Sequence, residues 1–396
     1  VSLETQQSAP KASGRRERRA LPRRIGLNAV FLVPGMGGID TYVQELVPEL
    51  MRLAPDSRFT VYCTPVGERH LGRLDWANEA RFVTHPLLGR RGLRAASELT
   101  LLGALAGHDV DLLHSVALTA PLRTRAVNVV TIHDATWMRG APTDPSTRLW
   151  RMIVPTVARR ADRVIAVSQA AATDVEELLR VPRERIDVTL EGYTPQAAVA
   201  PIAERTLRDR YSIRSGPIVL MVGTRKPHKN LLRLIAAIPE VLETSPKATL
   251  ALCGNATAHE DELRAEVARL GLTESVRFLP FVDAAELEGL YRAASCVVLA
   301  STNEGFGLPV LEAMGRGVPV ACSNASALPE VAGDGARYFD PYDVGQIAGA
   351  IGDVLTDRRL AKRLIAAGRA QAAALTWERT AEGTLDCYER AWRGRG

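Results

Sequence analysis

The chain has 396 residues, 46% hydrophobic and 24% charged, the balance of an ordinary globular protein of two or three domains. Its formal charge of +5 hints at a polyanionic partner until it is located: residues 1–24 hold seven basic side chains (Lys11, Arg15, Arg16, Arg18, Arg19, Arg23, Arg24) against Glu4 and Glu17, and the remainder holds 43 basic and 43 acidic side chains. The basicity thus belongs to a tail, which excludes nucleic acid as the fold's partner, and no run of eighteen apolar residues is present to span a bilayer.

Residues 1–23 are rich in Ser, Ala, Pro and Arg, without an apolar run, and are predicted to be a disordered basic tail. The tail lacks the apolar core of a secretory signal. At most it favours an anionic membrane surface weakly, each charge adding about 1 kcal/mol. The five cysteines (Cys63, Cys253, Cys296, Cys322, Cys387) are scattered, which argues against a disulfide frame or a zinc site and for a reducing compartment. The expected location is cytoplasmic, with peripheral contact at the inner membrane face left open.

From Arg24 onward short β-branched runs alternate with helical patterns. "IGLNAVFLV" (25–33) reads as a buried strand and "PGMGG" as a turn. Ile39, Tyr42, Val43, Leu46, Val47, Leu50 and Leu53 then recur at helical spacing, with Pro48 predicting a kink. Further strands are expected at 59–64, 110–115, 127–134 and 163–168. The pattern breaks near 190–202, at "EGYTPQAAVAP", which reads as a hinge. It then restarts with strands at 216–224, 248–254, 276–280, 295–301 and 318–323. A final helix over 376–392 carries Trp377, Leu385, Tyr388 and Trp392 as apolar anchors.

This rhythm predicts two α/β units, each a doubly wound parallel sheet, facing a central cleft. The expected division is 24–195, 196–375, and a C-terminal helix, 376–396, returning to the first unit. Ligands of such sheets sit at the carboxyl ends of the strands.

Residues 303–320, "NEGFGLPVLEAMGRGVPV", carry the most chemistry. They follow the strand "CVVLAS", so 302–307 is the loop at its carboxyl end. Pro309 suits the start of a helix that runs to Gly315. The loop glycines Gly305 and Gly307 let backbone approach a ligand, and the free N–H groups of the helix start suit a phosphate. Glu312, one turn in, can accept two hydroxyl hydrogen bonds from a ribose. Glu304, on the loop, can do the same for a second polyol. One carboxylate for each sugar, with phosphates between them, describes a nucleotide sugar.

"EGFGLPVLEAM" resembles the signature of the large retaining glycosyltransferase family 4, which has the GT-B fold, and the chain from about residue 24 fits that family. "VGTRKPHKNLLRL" (222–234) is similar to its diphosphate segment and "PGMGGIDTYVQEL" (34–46) to its N-terminal Gly-rich loop. "TIHDATW" (131–137), "RVIAVSQAAATDV" (163–175) and the final helix also match.

The resemblance implies that Lys229 and Arg225 neutralise the donor diphosphate. The family more often has arginine directly after the glycine, where this chain has Thr224, with Arg225 one place later. It implies that Gly37 and Gly38 meet the distal phosphate through backbone N–H. His133 would contact the donor sugar near the reacting carbon, Glu304 its hydroxyls and Glu312 the ribose. Pro280, Phe281 and Val282 would contact the base, and Gly305, Phe306, Gly307 and Leu308 the donor. His133, Glu304 and Lys229 are thus the expected catalytic residues. The resemblance further implies retention of configuration, no metal, no cofactor, and a GDP- or UDP-sugar donor, with GDP-mannose favoured by "EGFG" and the "GTRKPHKN" loop. The acceptor is a glycan, a lipid-linked chain or a small metabolite, shaped by loops 65–98 and 135–150.

Lys229 and Arg225 could be a solvated positive loop, and His133 a structural histidine bonded to Asp134. "DVD" (109–111) resembles a metal-binding Asp-x-Asp, but it precedes a strand and reads as a turn. Gly35, Gly37 and Gly38 do not make a dinucleotide fingerprint, because the third glycine is misplaced. A nucleotide-sugar epimerase on the same fold, and a non-catalytic nucleotide-sugar binding protein, stay open.

Overall fold

The computed structural model describes residues 19–35, 37–88, 94–139, 145–194 and 199–395. Most of the predicted tail and part of the predicted hinge, 195–198, lie outside the described residues.

Two all-parallel sheets organise the chain. The first contains β1 (Arg24–Asn28), β2 (Arg58–Cys63), β3 (Arg81–Thr84), β4 (Leu112–Ser115), β5 (Val127–Ile132), β6 (Arg163–Ala166) and β7 (Ile186–Val188), in the order β3-β2-β1-β4-β5-β6-β7. The second contains β8 (Ile218–Val222), β9 (Thr249–Cys253), β10 (Val276–Leu279), β11 (Cys296–Leu299), β12 (Val320–Ser323) and β13 (Ala336–Phe339), in the order β10-β9-β8-β11-β12-β13. Helices cover both faces, so the central strands read as unbroken apolar runs: "VNVVTI" of β5 and "TLALC" of β9 are buried throughout. The five cysteines are free and buried, behaving as small apolar side chains.

The strand order reverses between β1 and β4 in the first sheet, and between β8 and β11 in the second. At such a reversal the connections leave in opposite directions and a crevice opens at the carboxyl ends. The segments after β1, β4, β8 and β11 are therefore the ones the fold places for binding.

The helix Gly38–Leu53 runs as one element through Pro48 and buries Tyr42, Val43, Leu46, Val47, Leu50 and Met51. Packing of that apolar face outweighs the missing N–H of Pro48. The helix Trp377–Arg393 lies against it and against β5, β6 and β7. Trp377 meets Tyr42 edge-on at 5.9 Å, and Thr380 Oγ1 donates to the Leu190 carbonyl at 2.8 Å. Trp392 is no anchor: it shares the helix face of Leu385 and Tyr388 but lies in the last turn and is 38% exposed. The expected loop 65–98 is largely regular, holding the helix Pro65–Leu71 and strand β3.

Asp111 of the "DVD" segment accepts from the Arg24 backbone N–H at 2.9 Å and from its guanidinium. It braces β1 against the start of β4, in line with the turn reading.

Candidate active site

The second sheet supplies one wall. β8 ends at Gly223, whose φ of 149° only glycine adopts readily, and the Gly254 backbone packs directly on its carbonyl. The chain then makes the short turn Pro227–Lys229, which Asn230 pins in place. Asn230 Nδ2 donates to the carbonyls of Ala300 at 3.0 Å and Pro341 at 2.6 Å, which ties this turn to the end of β11. Lys229 thereby faces the loop after β11, and its Nζ lies 2.6 Å from Glu304 Oε1. Ser301 Oγ donates to the same oxygen at 2.6 Å.

Burial pushes the Glu304 carboxyl up, but Lys229 and the Ser301 hydroxyl outweigh it and hold the group below its ordinary value. His228, beside this pair, is held below its ordinary value by burial and then by the Lys229 charge.

The helix Leu308–Gly315 begins from Gly307, whose φ is 107°, and carries Pro309 in its first turn. Glu312, one turn along, is half-buried, and its Oε2 accepts from the hydroxyl of Tyr291 at 2.6 Å. Tyr291 is fully buried, and its phenol is held well above its ordinary value by burial and then by Glu312, so it stays a donor. Arg316 lies over the Tyr291 ring at 4.6 Å, donates to the Glu312 carbonyl at 3.0 Å and pairs with Glu288 at 2.7 Å. After β10, Phe281 is 59% exposed while Val282 is only 7% exposed, so this segment offers one aromatic face. Phe306 and Leu308 are buried.

Arg225 requires a correction. Its side chain is 3% exposed and pairs with Glu260 at 2.7 Å. Its Nη1 donates to the carbonyls of Leu252, Gly254 and Leu279 at 3.2, 2.8 and 2.9 Å. Four of its five N–H groups are thus spent inside the second lobe, and Glu260 meets its charge. The charge serves to close the ends of β9 and β10.

The first sheet supplies the opposite wall. Gly37, with φ of 67°, ends the loop after β1 and starts the helix Gly38–Leu53. Asp40 braces this turn, accepting from the Gly35 N–H at 3.2 Å and from Gln44 at 2.8 Å, with His70 Nε2 also 2.8 Å away. The two walls meet here. A Cβ on Gly38 would stand 3.5 Å from Leu308 Cδ1, and one on Gly35 would stand 4.0 Å from Phe281 Cζ.

His133 follows β5. Its bonds are not to Asp134: Nδ1 lies 3.0 Å from Glu191 Oε1 and Nε2 lies 2.9 Å from the Val116 carbonyl. Its own carbonyl abuts Gly305, where a Cβ would come within 1.8 Å of that oxygen. Ser168 Oγ donates to the Gly305 carbonyl at 2.6 Å, and the Gln169 N–H donates to Glu330 at 2.8 Å. The loop that carries Glu304 is thus gripped by the first lobe.

Lys229, Glu304, Gly305 and the His133 backbone are brought together, and Gly37 and Gly38 approach the start of the Glu312 helix. Glu191, Tyr291, Ser301 and Asn230 were not anticipated. Glu191 did carry a signal, an acid shortly after a strand end and directly before a glycine. Ser301 meets Glu304 three residues on, while Tyr291 and Asn230 gain their partners only by tertiary approach.

Comparison with known proteins agrees with this arrangement. The model of the family Glycosyltransferase Family 4 matches residues 36–196, and that of Glycosyl transferases group 1 matches residues 204–371. The chain is 34% identical over 235 residues to O-antigen chain mannosyltransferase B of Escherichia coli, covering 58% of this chain and 61% of that protein. It is 31% identical over 290 residues to D-inositol 3-phosphate glycosyltransferase of Nocardia farcinica, covering 70% of this chain and 63% of the relative. The matches therefore span somewhat under two thirds of the length of these relatives. Among solved structures, HepE of Anabaena in complex with UDP and glucose superposes with a TM-score of 0.70 at 22% identity, covering 92% of this chain and 98% of that one. The two sheets and their facing walls are a GT-B fold, and the chain belongs to glycosyltransferase family 4, the group 1 glycosyl transferases.

Proposed function

We propose that this protein is a glycosyltransferase that moves a hexosyl group, with mannose the first candidate, from a nucleotide-sugar donor to an acceptor hydroxyl with retention of configuration and without a metal. The observation that carries the reading is the Lys229–Glu304 pair at 2.6 Å, set where the strand order of the second sheet reverses. The similarity to a mannosyltransferase supports the choice of sugar.

An ammonium has three N–H donors. One meets Glu304, which leaves two for the donor diphosphate. Both bonds to Glu304 fall on Oε1, so Oε2 is the oxygen for sugar hydroxyls. The N–H groups at the start of Leu308–Gly315 suit the phosphates, Glu312 the ribose and the exposed Phe281 face the base. Backbone at Gly37 and Gly38 closes over the distal phosphate. In the transfer, the bond between the anomeric carbon and the phosphate oxygen breaks, and its electron pair leaves with the nucleoside diphosphate. The acceptor oxygen bonds to the same face of the carbon, and its proton passes to the departing phosphate. Lys229 stabilises the charge that develops there. Contact between the lobes at Gly305 excludes water that would otherwise hydrolyse the donor.

The acceptor is a glycan, a lipid-linked chain or a small metabolite hydroxyl, and the reaction belongs in the cytoplasm or at its membrane face. Among the described residues no helix is long and apolar enough to cross a membrane.

The test is a thermal-shift panel of UDP-, GDP-, ADP- and dTDP-sugars on the purified protein. A donor at about one hundred times its dissociation constant adds about 2.7 kcal/mol and raises the melting temperature. Absence of stabilisation by every sugar nucleotide overturns the reading.

A further inference from the structure

Glu191 follows β7 where the chain leaves the first lobe, and it is only 3% exposed. Its place is rigid. A Cβ on the neighbouring Gly192 would stand 2.2 Å from the Trp377 backbone nitrogen, and the Tyr193 N–H donates to the Leu375 carbonyl at 3.0 Å. A carboxylate this deeply buried is costly unless a cation or N–H groups meet it.

His133 meets it. Glu191 Oε1 lies 3.0 Å from Nδ1 of the ring, and on the far side Nε2 lies 2.9 Å from the Val116 carbonyl. A carbonyl oxygen only accepts, so the nitrogen facing it carries a hydrogen. A neutral ring would then turn a bare Nδ1 lone pair against a carboxylate oxygen, and the contact becomes a bond only when a proton lies in it. Turning the ring over exchanges the nitrogens and alters nothing, because both positions face acceptors.

The other neighbours do not compete for that proton. Tyr42, from the helix Gly38–Leu53, stands edge-on to the ring at 4.8 Å, and its hydroxyl pairs with Thr131. His114 of β4, fully buried between Tyr388 and Thr131, is pushed down to about 3 by burial and is neutral. Asp134 is the next residue in the chain and adds a second nearby negative charge. From the second lobe, the backbone at Gly305 packs on the His133 carbonyl.

We propose that Glu191 is a positioning residue that holds His133 as an imidazolium, both ring N–H groups donating inward, so that the His133 carbonyl that packs on Gly305 is held in one place. Burial opposes the charge, but the bond to Glu191 and its carboxylate outweigh burial and raise His133 above its ordinary 6.5. Reacting groups whose supports are fixed in advance are brought together at lower cost. The part played in transfer rests on the nucleotide-sugar reading above; the protonation of the pair does not.

The test uses the full chain labelled with 15N, the His133 ring resonances being assigned by their loss in His133→Gln. In the unmutated protein both ring nitrogens stay protonated to a higher pH than in an unperturbed histidine, because the Glu191 carboxylate outweighs burial. In Glu191→Gln the titration falls to the ordinary value or below, and the alkaline limb of kcat/KM moves down by the same interval. Glu191→Asp restores part of both. A His133 ring that titrates normally in the unmutated protein overturns the proposal, and that measurement stands even if the Glu191 variants do not fold. An unmoved titration in a folded Glu191→Gln also overturns it, as does a moved titration with an unmoved activity profile. Should no donor support transfer, the functional reading fails while the ring titration still decides the pair.

Discussion

Lys229 Nζ and Glu304 Oε1 lie 2.6 Å apart although 75 residues separate them in sequence. They follow β8 and β11, the two strands at which the second sheet changes direction. Glu312 stands apart from this pair, bonded to Tyr291. On the proposed function the two acids serve different parts of one donor, and their loss should be felt differently. Glu304→Ala abolishes transfer while nucleotide affinity is kept; Glu312→Ala weakens nucleotide binding itself. Calorimetric titration with the nucleoside diphosphate, beside turnover assays, checks this. Equal loss of both properties in both variants refutes the assignment.

Tyr291 is the support on which the Glu312 role depends. Its buried hydroxyl donates a 2.6 Å bond to Oε2, which leaves the carboxylate one settled orientation. Tyr291→Phe removes that bond and little volume. A hydrogen bond to a charged group contributes about 1.5–3 kcal/mol, so nucleotide affinity should fall about tenfold or more. Unchanged affinity, measured by the same titration, would mean that the Glu312 carboxylate does not depend on Tyr291 for its part in binding.

Glu304 also gives stability a pH dependence of known sign. Its folded value lies below the ordinary 4.5, because Lys229 and Ser301 outweigh burial. A lowered carboxyl binds fewer protons folded than unfolded, so its stabilisation is complete above the ordinary value and is lost as pH falls through the folded one. The stability gap between the unmutated protein and Glu304→Gln, read from urea denaturation, should be widest near neutral pH and shrink below about pH 4.5. A gap that grows on acidification contradicts the pair.

Arg225 is expected to matter for folding and not for the donor. Arg225→Met strands Glu260 with only Arg264 and leaves the carbonyls of Leu252, Gly254 and Leu279 without that donor. Breaking one side of a buried pair costs about 3 kcal/mol. The urea midpoint should drop accordingly, while nucleotide affinity of the folded variant holds. Lost affinity at unchanged stability would return Arg225 to the donor site.

What the sequence made legible follows from where the information is local. β5 and β9 are apolar on both faces, so their composition alone announces buried parallel strands. The edge strands β3, β7 and β13 are short and carry Arg, Asp or Thr, and they escaped notice because pairing on one side makes them strands. Motif spacing located Lys229, Glu304 and Glu312, since loop and helix fix those positions within a few residues. It misjudged Arg225 because a sequence records a charge without recording its partner, and here the partner is Glu260, 35 residues away. The partners of His133 come from the ends of β4 and β7, and neither is adjacent to it in sequence.

Gly305 offers a test of whether contact between the lobes is part of the reaction. Its backbone carbonyl accepts from Ser168 of the first lobe, and a Cβ added to it would stand 1.8 Å from the His133 carbonyl and 3.2 Å from Asp134 Cβ. Main chain lies on both sides of that clash, so no side chain can turn away to relieve it; the lobes themselves must part. Its φ lies outside the left-handed region, so alanine strains nothing within its own lobe. Gly305→Ala should therefore keep the fold and most nucleotide affinity, which on the proposed function rests chiefly on the second lobe. A displacement of about 1 Å between reacting groups costs on the order of a hundredfold in rate, and turnover should fall by that factor. X-ray scattering should show a larger radius of gyration for the donor-bound variant than for the donor-bound parent. If turnover were retained with the lobes held apart, water exclusion at this contact would have no part in catalysis, and Lys229 and Glu304 would have to act from the second lobe alone.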